Sequence, residues 1–351
     1  MKPGDQIRLK LKEKSWTQED LAWVLGRPQP SINQIISGKV SVTPETAIQL
    51  SSALGETPRF WLEMDANHRL SQLNDCEPSI QRRANLLNLV PINSMRKRGW
   101  LGNDLSAEAI ESKVMELIEC APTAAWRKSG NQELTPEQFA WLIQLERMAK
   151  IQRTDPFLPE NMDSCFLSLK KLTAYSQLVE NVPKVLSEHG IRFVIIEPFP
   201  GSRIDGATIW LSETEPVVGL SSRLDRLDNF WFTLFHELSH VKHHDDFSID
   251  DDTLGNDIQL EIKSAIERRA DLEAAELLIS PKEMDSFVKR YSPLFSKKCI
   301  IQFANRLSVH PGIVVGQLQA RSEIGWNANR EMLVKVRDSV TCVAMTDGWG
   351  Q

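Results

Sequence analysis

The chain has 351 residues, of which 41% are hydrophobic and 25% charged, and its formal net charge is −6. This composition excludes a collagen-like, disordered or membrane-spanning chain, and the length exceeds what one apolar core usually supports, so we expect several domains. The five cysteines are scattered and form no CxxC pair, which argues against a disulfide framework and a thiolate zinc site. The first residues lack the apolar centre of a signal peptide, and no apolar run reaches the ~18 residues of a membrane helix. We therefore expect a cytoplasmic protein.

Charge is distributed unevenly along the chain. Residues 1–40 contain seven Lys or Arg and four acidic residues, whereas residues 245–261 contain seven acidic residues and no basic one. The acidic stretch is expected to repel acidic partners and to attract a basic one, as DNA-binding proteins usually are. A solvated surface loop is the alternative explanation of the same charges.

Short helices with recognisable start and stop signals are predicted near the N-terminus. Thr17 can cap the first turn of one helix, and Gly26 ends it. A second short helix is predicted over about 30–36, and a third begins after Thr43, which precedes a proline suited to a first helical position. Two short helices joined by a tight turn within a bundle are typical of a helix-turn-helix domain.

The hydrophobic period changes about halfway along the chain. Helical spacing dominates residues 78–185, including two clear amphipathic segments at 107–118 and 137–149. Three apolar runs then predict buried strands at 191–197, 207–211 and 216–220. Further helices are predicted over about 225–243, over about 258–279 and from about 282 onward.

The predicted helix over 225–243 carries a metal-binding motif. His236 and His240 are four residues apart, so both imidazoles can face a single metal ion. Glu237 follows the first histidine, where it can take a proton from water at the metal. Two unrelated histidines on a surface helix are the alternative explanation.

The next predicted helix supplies a third ligand. Glu267 and Asp271 are four residues apart and share one face, so Glu267 can complete a His, His, Glu set with one position open, the arrangement of a catalytic zinc site. Asp271 can then accept the remaining N–H of a ligand histidine. Two alternatives stay open: Glu267 is a solvated helix residue, or His244 is the third ligand. His244 is the weaker candidate, because a third ligand on one straight helix would splay away from the metal.

Residues 165–325 resemble the ImmA/IrrE family of bacterial and phage metallopeptidases. The resemblance is carried by DGATIWLSETEPVVGLSSRLDRLDNFWFTLFHELSHVKHHD, by the Glu-x-x-Ala-Asp helix that ends AAELLISP, and by FANRLSVHPGIVVGQLQ. It implies a gluzincin-type site that holds Zn²⁺ through His236, His240 and Glu267, with Glu237 as general base. It also implies cleavage or inactivation of a DNA-binding partner protein. Glu273 departs from the family pattern, which usually has an aromatic residue there.

Residues 1–75 separately resemble the HigA branch of XRE-type helix-turn-helix proteins. The resemblance is carried by TQEDLAWVLG, INQIISGK, TPETAIQLSSALG and TPRFWLEM. HigA-like proteins are antitoxins that repress their own operon as dimers, so the resemblance implies binding to the protein's own operator. It places the side chains of four residues at base edges: Gln29, Ser31, Asn33 and Gln34. It places Lys39 near phosphate. Pro28 and Pro30 depart from the family pattern, and Pro30 removes one expected base contact.

Together these observations predict a multidomain, mainly α protein. Its expected parts are a five-helix helix-turn-helix bundle at 1–75, a helical connecting segment at 76–185, an α+β gluzincin-like peptidase domain with a small sheet at 186–325, and a tail at 326–351. We predict a zinc-dependent, peptidase-type transcriptional regulator that cleaves or inactivates a DNA-binding or toxin-system partner. The alternative is an antitoxin and autorepressor that neutralises a toxin by binding, with weak or no proteolysis. The expected partners are operator DNA, a basic substrate or toxin and a second copy in a homodimer, and no membrane is expected.

Overall fold

The structure is a computed structural model and describes residues 2–73, 78–102, 106–119, 134–245, 248–251 and 265–349. It contains two compact units, of which one ends at Arg82 and the other begins at Arg83. The first unit has an apolar core of its own, and the second has two apolar clusters. The predicted multidomain, mainly α fold is therefore confirmed. The boundaries predicted at 75, 185 and 325 stay predictions.

The first unit is a bundle of five short helices, as predicted. They are α1 (Pro3–Glu13), α2 (Gln18–Leu25), α3 (Gln29–Ser37), α4 (Pro44–Leu54) and α5 (Pro58–Leu70). Thr17 caps α2: its Oγ1 accepts from the amide of Asp20 over 3.1 Å, and the Asp20 carboxylate accepts from the Thr17 amide over 2.7 Å. Gly26 follows α2 with a left-handed φ of 61°. The start and the end of this helix are thus those that the sequence predicts.

Helix α3 is held against α1 by an unusually close backbone approach. A Cβ atom built on Gly4 of α1 would lie 1.8 Å from the main-chain oxygen of Ile36. The inward face of α3 carries Ile32, Ile35 and Ile36, which lie in the core of the bundle. The position of α3 therefore depends on a contact with α1 that no side chain larger than hydrogen permits.

Helices dominate the rest of the described chain as well. Six precede the sheet: α6 (Pro78–Leu89), α7 (Ile92–Lys97), α8 (Ala107–Glu119), α9 (Pro136–Ile151), α10 (Met162–Leu172) and α11 (Val182–Glu188). Six follow its third strand: α12 (Leu227–His243), α13 (Ala265–Leu278), α14 (Pro281–Tyr291), α15 (Lys297–Leu307), α16 (Pro311–Ala320) and α17 (Arg337–Thr341). Short 3₁₀ turns lie at Pro159–Asn161, Ser176–Asn181 and Arg330–Met332. None of the described helices is long and apolar enough to cross a membrane.

One mixed sheet is formed by five strands of the described residues. They are β1 (Arg192–Ile195), β2 (Ile204–Trp210), β3 (Pro216–Leu220), β4 (Ser248–Asp251) and β5 (Met345–Thr346), in the spatial order β4-β2-β3-β1-β5. β1 runs parallel to β3 and β5, and β2 runs antiparallel to β3 and β4. β1 and β3 lie within the predicted apolar runs, whereas β2 overlaps the run at 207–211 but begins three residues earlier, at Ile204. The two edge strands, β4 and β5, were not predicted.

Helices cover both faces of this sheet. Alternate residues of β1 belong to different apolar clusters: Phe193 lies in the cluster that includes α12, and Val194 in the cluster that includes α9. On the α9 face, the indole N–H of Trp141 donates to the main-chain oxygen of Ile196 over 3.0 Å. On the other face, α12 packs against β2 and β3, and α13 packs against α12. The motif-bearing helix is therefore fixed between the sheet and α13.

Candidate metal centre

Two adjacent helices bring the predicted ligands together. α12 carries His236 and His240 one turn apart, and both side chains are fully buried. α13 carries Glu267 in its first turn, with 24% of that side chain exposed. The three side chains form a group whose ligand atoms all lie within 4.8 Å of one another.

The distances within this group suit a tetrahedral ion. His236 Nε2 lies 3.1 Å from His240 Nε2 and 3.2 Å from Glu267 Oε2, and the third pair, His240 Nε2 and Glu267 Oε2, is 3.8 Å apart. Zinc–ligand bonds of ~2.0–2.2 Å in a tetrahedron would place ligand atoms about 3.3–3.6 Å apart. Two imidazole nitrogens and one carboxylate are also a donor set that zinc prefers. The residues present therefore fit this metal.

The other nitrogen of each imidazole faces a carboxylate. His236 Nδ1 lies 3.1 Å from Asp271 Oδ1, and His240 Nδ1 lies 2.8 Å from Asp245 Oδ2. When each Nδ1–H donates to its carboxylate, each Nε2 keeps a lone pair, and both lone pairs point into the same small space. This arrangement orients both rings for binding a cation.

Electrostatics around His240 favour its neutral, metal-binding form. Burial, and after it the neighbouring His236, lower the pKa of His240 below its usual value, although Asp245 and Glu267 act in the opposite direction. Burial raises the pKa of Asp245, but hydrogen bonds from Arg269 and His240 outweigh it and hold that pKa below its usual value. A neutral imidazole beside an ionised carboxylate is the pair that metal binding requires.

Glu237 lies on the side of α12 that faces the sheet. It is fully buried, and the Thr208 hydroxyl of β2 lies 2.7 Å from its Oε2 and 3.0 Å from its main-chain oxygen. A Cβ built on Gly206 would lie 2.6 Å from Glu237 Oε1 and 2.9 Å from Cγ2 of Thr233. The glycine thus leaves the space that the Glu237 carboxylate occupies.

Replacing Gly206 by Ala should displace Glu237. The added methyl group would overlap the carboxylate, and overpacking of this kind typically costs ~1–3 kcal/mol of unfolding free energy. We expect that loss in denaturant unfolding. Gly325→Ala is the matched control, because nothing lies within 4 Å of a Cβ built there. Equal unfolding free energies for the two variants would contradict the proposed contact.

Three other histidines make contacts outside the group of candidate ligands. His244 ends α12 in a left-handed conformation, and its ring centre lies 4.0 Å from that of Trp210. His243 Nε2 lies 2.8 Å from Glu273 Oε1, and His310 caps α16 by accepting from the amide of Gly312 over 3.0 Å. The group of ligand atoms described above thus contains neither His244 nor the other two.

Glu273, the departure from the family pattern, connects the two motif helices. Its Oε2 accepts from the Ser239 hydroxyl of α12 over 2.7 Å, and its Oε1 lies near His243 and Lys242. A polar contact therefore joins α12 and α13 at Glu273.

The acidic stretch is only partly described. Asp245 contacts His240 and Arg269, so this carboxylate is engaged at the candidate metal centre. Residues 248–251 form strand β4 through their backbone, and 246–247 and 252–261 lie outside the described residues. The predicted effect of this stretch on partner choice stays a prediction.

The predicted DNA-contacting residues lie on or just after α3. Ser31 is partly buried. The other four are exposed: Gln29, Asn33, Gln34 and Lys39. The inward isoleucines of α3 occupy the opposite face, so the polar side chains point away from the core. α3 begins at Gln29 with Pro28 before it and no side-chain cap, which accommodates both prolines at the start of the helix.

Three contributors to the candidate metal centre were not predicted from the sequence. These are Asp245 beside His240, Arg269 beside Asp245, and Thr208 beside Glu237. Asp245 had a detectable signal, since an acid five residues after a ligand histidine can fold back onto it across a helix end. Thr208 had none, because its contact depends on how β2 meets α12.

Comparison with known proteins identifies both regions of the chain. Residues 7–61 match the helix-turn-helix family, and residues 186–315 match the family described as the IrrE N-terminal-like domain, a peptidase family. The uncharacterized HTH-type transcriptional regulator YddM of Escherichia coli (strain K12) is 32% identical over 63 residues, which cover 18% of this chain and 67% of that protein.

Proposed function

We propose that this chain is a zinc-dependent peptidase that regulates transcription. It belongs to the proteins in which an XRE-type helix-turn-helix domain is fused to an ImmA/IrrE-type domain. Its target would be a DNA-binding or toxin-system protein, which the second domain cleaves or inactivates. The convergence of two imidazole Nε2 atoms and the Glu267 carboxylate, with each Nδ1 facing an acid, carries this proposal.

The proposed mechanism assigns one task to each side chain. His236, His240 and Glu267 would hold the metal, and Asp271 would orient His236. Zinc, when bound, would supply Lewis acidity for activating water and the scissile carbonyl. Glu237 would take the proton from the attacking water and deliver it to the leaving amine, a role typically worth ~10²–10⁴ in rate.

The Glu237 carboxylate is prepared for this task by its surroundings. The Thr208 hydroxyl can donate to Oε2, and β2 approaches closely at Gly206. These contacts limit the rotamers of the side chain, so a proton is accepted at a defined position.

The first domain would direct the protein to its own operator in the cytoplasm, as a homodimer. The exposed polar face of α3 supports this proposal, since a recognition helix reads base edges through side chains that point away from the core. Gln29, Ser31, Asn33 and Gln34 would contact bases, and Lys39 would contact phosphate. The substrate or toxin would be basic, since the acidic stretch would attract a positively charged partner.

Two substitutions in the first domain should weaken DNA binding in different ways. We expect Asn33→Ala to lower discrimination between operator and random DNA by roughly 1–3 kcal/mol, because an amide can bond two atoms of adenine. Lys39→Ala should weaken binding to all DNA sequences alike and reduce the salt dependence of binding, because a phosphate contact carries no sequence information. Titrations of full-length protein at several salt concentrations measure both. Equal binding of wild-type protein to operator and random DNA would refute operator recognition.

A binding-only antitoxin is the second candidate function. The complete burial of Glu237 and its contact with Thr208 favour this alternative, because a carboxylate enclosed in this way is removed from incoming substrate. The protein would then repress its own gene and neutralise a toxin without cutting it.

Partner capture with Glu237→Gln protein separates the two functions. If the protein is a peptidase, the wild-type protein should release fragments of the partner. The zinc-loaded Glu237→Gln protein should retain the intact partner, because it binds the partner but cannot cut it. Intact partner recovered equally from both proteins would support the binding-only role. Asp285→Asn is a suitable control, since this carboxylate is exposed and pairs with Arg321 on another part of the domain.

A further inference from the structure

The carboxylate of Asp245 joins a candidate metal ligand to the neighbouring helix. Its Oδ2 lies 2.8 Å from Nδ1 of His240 and also pairs with the guanidinium of Arg269 on α13. Only 11% of the Asp245 side chain is exposed, and 34% of Arg269. One buried oxygen is thus shared by donors from both motif helices.

The backbone around Asp245 is fixed in three ways. The left-handed conformation of His244 reverses the chain at the end of α12, so Asp245 returns toward His240. The amide of Asp245 donates to the main-chain oxygen of His240 over 3.0 Å. Its own main-chain oxygen accepts from the indole N–H of Trp210 over 2.9 Å. The main chain therefore keeps Asp245 beside the imidazole, and the contacts of the carboxylate set its side-chain torsions.

The two imidazoles are supported differently. His236 faces Asp271, which lies on the same helix as Glu267, so one rigid element presents both groups. Asp245 lies outside α13 and is connected to that helix through Arg269. The orientation of His240 relative to Glu267 thus depends on the guanidinium.

We propose that Asp245 is a positioning residue for His240, and that Arg269 holds its carboxylate in place. This inference rests on the proposed zinc site. Donation from His240 Nδ1 to Asp245 fixes the ring plane and directs Nε2 toward Glu267, and such outer partners typically change metal affinity ~10–100-fold. Arg269 acts on the metal only through Asp245.

Zinc affinity of the full-length protein tests this inference, measured by competition with a chromophoric chelator. We expect Asp245→Ala to weaken zinc binding ~10–100-fold and Arg269→Gln to weaken it less. Arg269→Gln should add nothing in the Asp245→Ala background, because both changes break the same chain of contacts. Arg321→Gln is the matched control: this arginine also pairs with an aspartate and is 36% exposed, and zinc affinity should stay at the wild-type value.

The visible spectrum of the cobalt-substituted protein provides a second readout. It should change in Asp245→Ala, because the ring of His240 turns, and stay unchanged in Arg321→Gln. Asp245→Asn retains an oxygen that can accept from His240 and should recover part of the affinity, which a folding defect would not explain. This variant also decides the question if Asp245→Ala does not fold: wild-type zinc affinity in both Asp245→Asn and Arg269→Gln would overturn the proposal.

Failure of the zinc site itself has a different signature. If wild-type protein binds no zinc, or if Glu267→Ala keeps it, the proposed function fails. If wild type binds zinc, Glu267→Ala loses it and Asp245→Ala binds as tightly as wild type, only the positioning role is refuted. Additive losses from Asp245→Ala and Arg269→Gln would refute the connection through Arg269.

Discussion

Replacing Glu267 by Ala should remove most of the zinc from the protein. Glu267 provides the carboxylate of the ligand group, and its Oε2 lies 3.2 Å from Nε2 of His236. Without it, two histidines on one helix remain, and we expect affinity to fall more than ~100-fold, since even groups outside the ligand set change it ~10–100-fold. Elemental analysis after dialysis should find about one zinc per wild-type chain and little in the variant.

Glu276→Ala is the control for this experiment. Glu276 lies on α13 as well, but it is exposed and is not a member of the ligand group. Its replacement changes the charge and the helix in the same way as Glu267→Ala and should leave zinc bound. Undiminished zinc in Glu267→Ala would contradict the ligand assignment, and loss of zinc only in a His244 variant would transfer the role to that histidine.

Glu237→Gln should abolish proteolysis while zinc stays bound. The glutamine has nearly the same shape, and its amide can still bond the Thr208 hydroxyl, so the fold should tolerate it. It cannot accept a proton from water at neutral pH, and loss of general acid–base catalysis typically lowers rates ~10²–10⁴-fold. The cleavage rate of the captured partner protein, compared at equal zinc content, measures this effect.

Thr208→Val is informative beside Glu237→Gln. It removes the hydroxyl near Glu237 Oε2 and keeps a side chain of similar shape, so we expect a smaller loss of rate. In the Glu237→Gln background it should cost little more, because its effect depends on an ionised carboxylate. A Glu237→Gln protein that cuts at the wild-type rate would exclude Glu237 as the general base.

Features that depend on local sequence could be predicted. Thr17 and Gly26 delimit α2 because capping involves groups within one turn of each other. The spacing of His236 and His240 places both on one face of α12 for the same reason. β3 was predicted over the residues that form it, because the apolar run at 216–220 is bounded by turn residues, and the structure buries all five residues.

Features that depend on distant contacts could not be predicted. β4 and β5 become strands by pairing with β2 and β1, and a strand of two residues has no period to detect. The acidic stretch predicts surface charge, but the pairing of Asp245 with Arg269 joins two helices whose relative position the local pattern does not contain. The surroundings of Glu237 likewise require the approach of Gly206, a residue whose sequence context indicates only a break before the predicted strand at 207–211.

The contact between Gly4 and Ile36 predicts which mutations a genetic screen would recover. Because a methyl group at position 4 would meet the backbone of α3 at 1.8 Å, the helix that carries the predicted DNA-contacting side chains would have to move. An unbiased genetic screen for colonies that lose repression should therefore recover mutations at codon 4 as well as mutations at codon 33. Second-site revertants of the codon 4 alleles should fall on the inner surfaces of α1 and α3, where smaller side chains make room, and not among the predicted DNA-contacting residues.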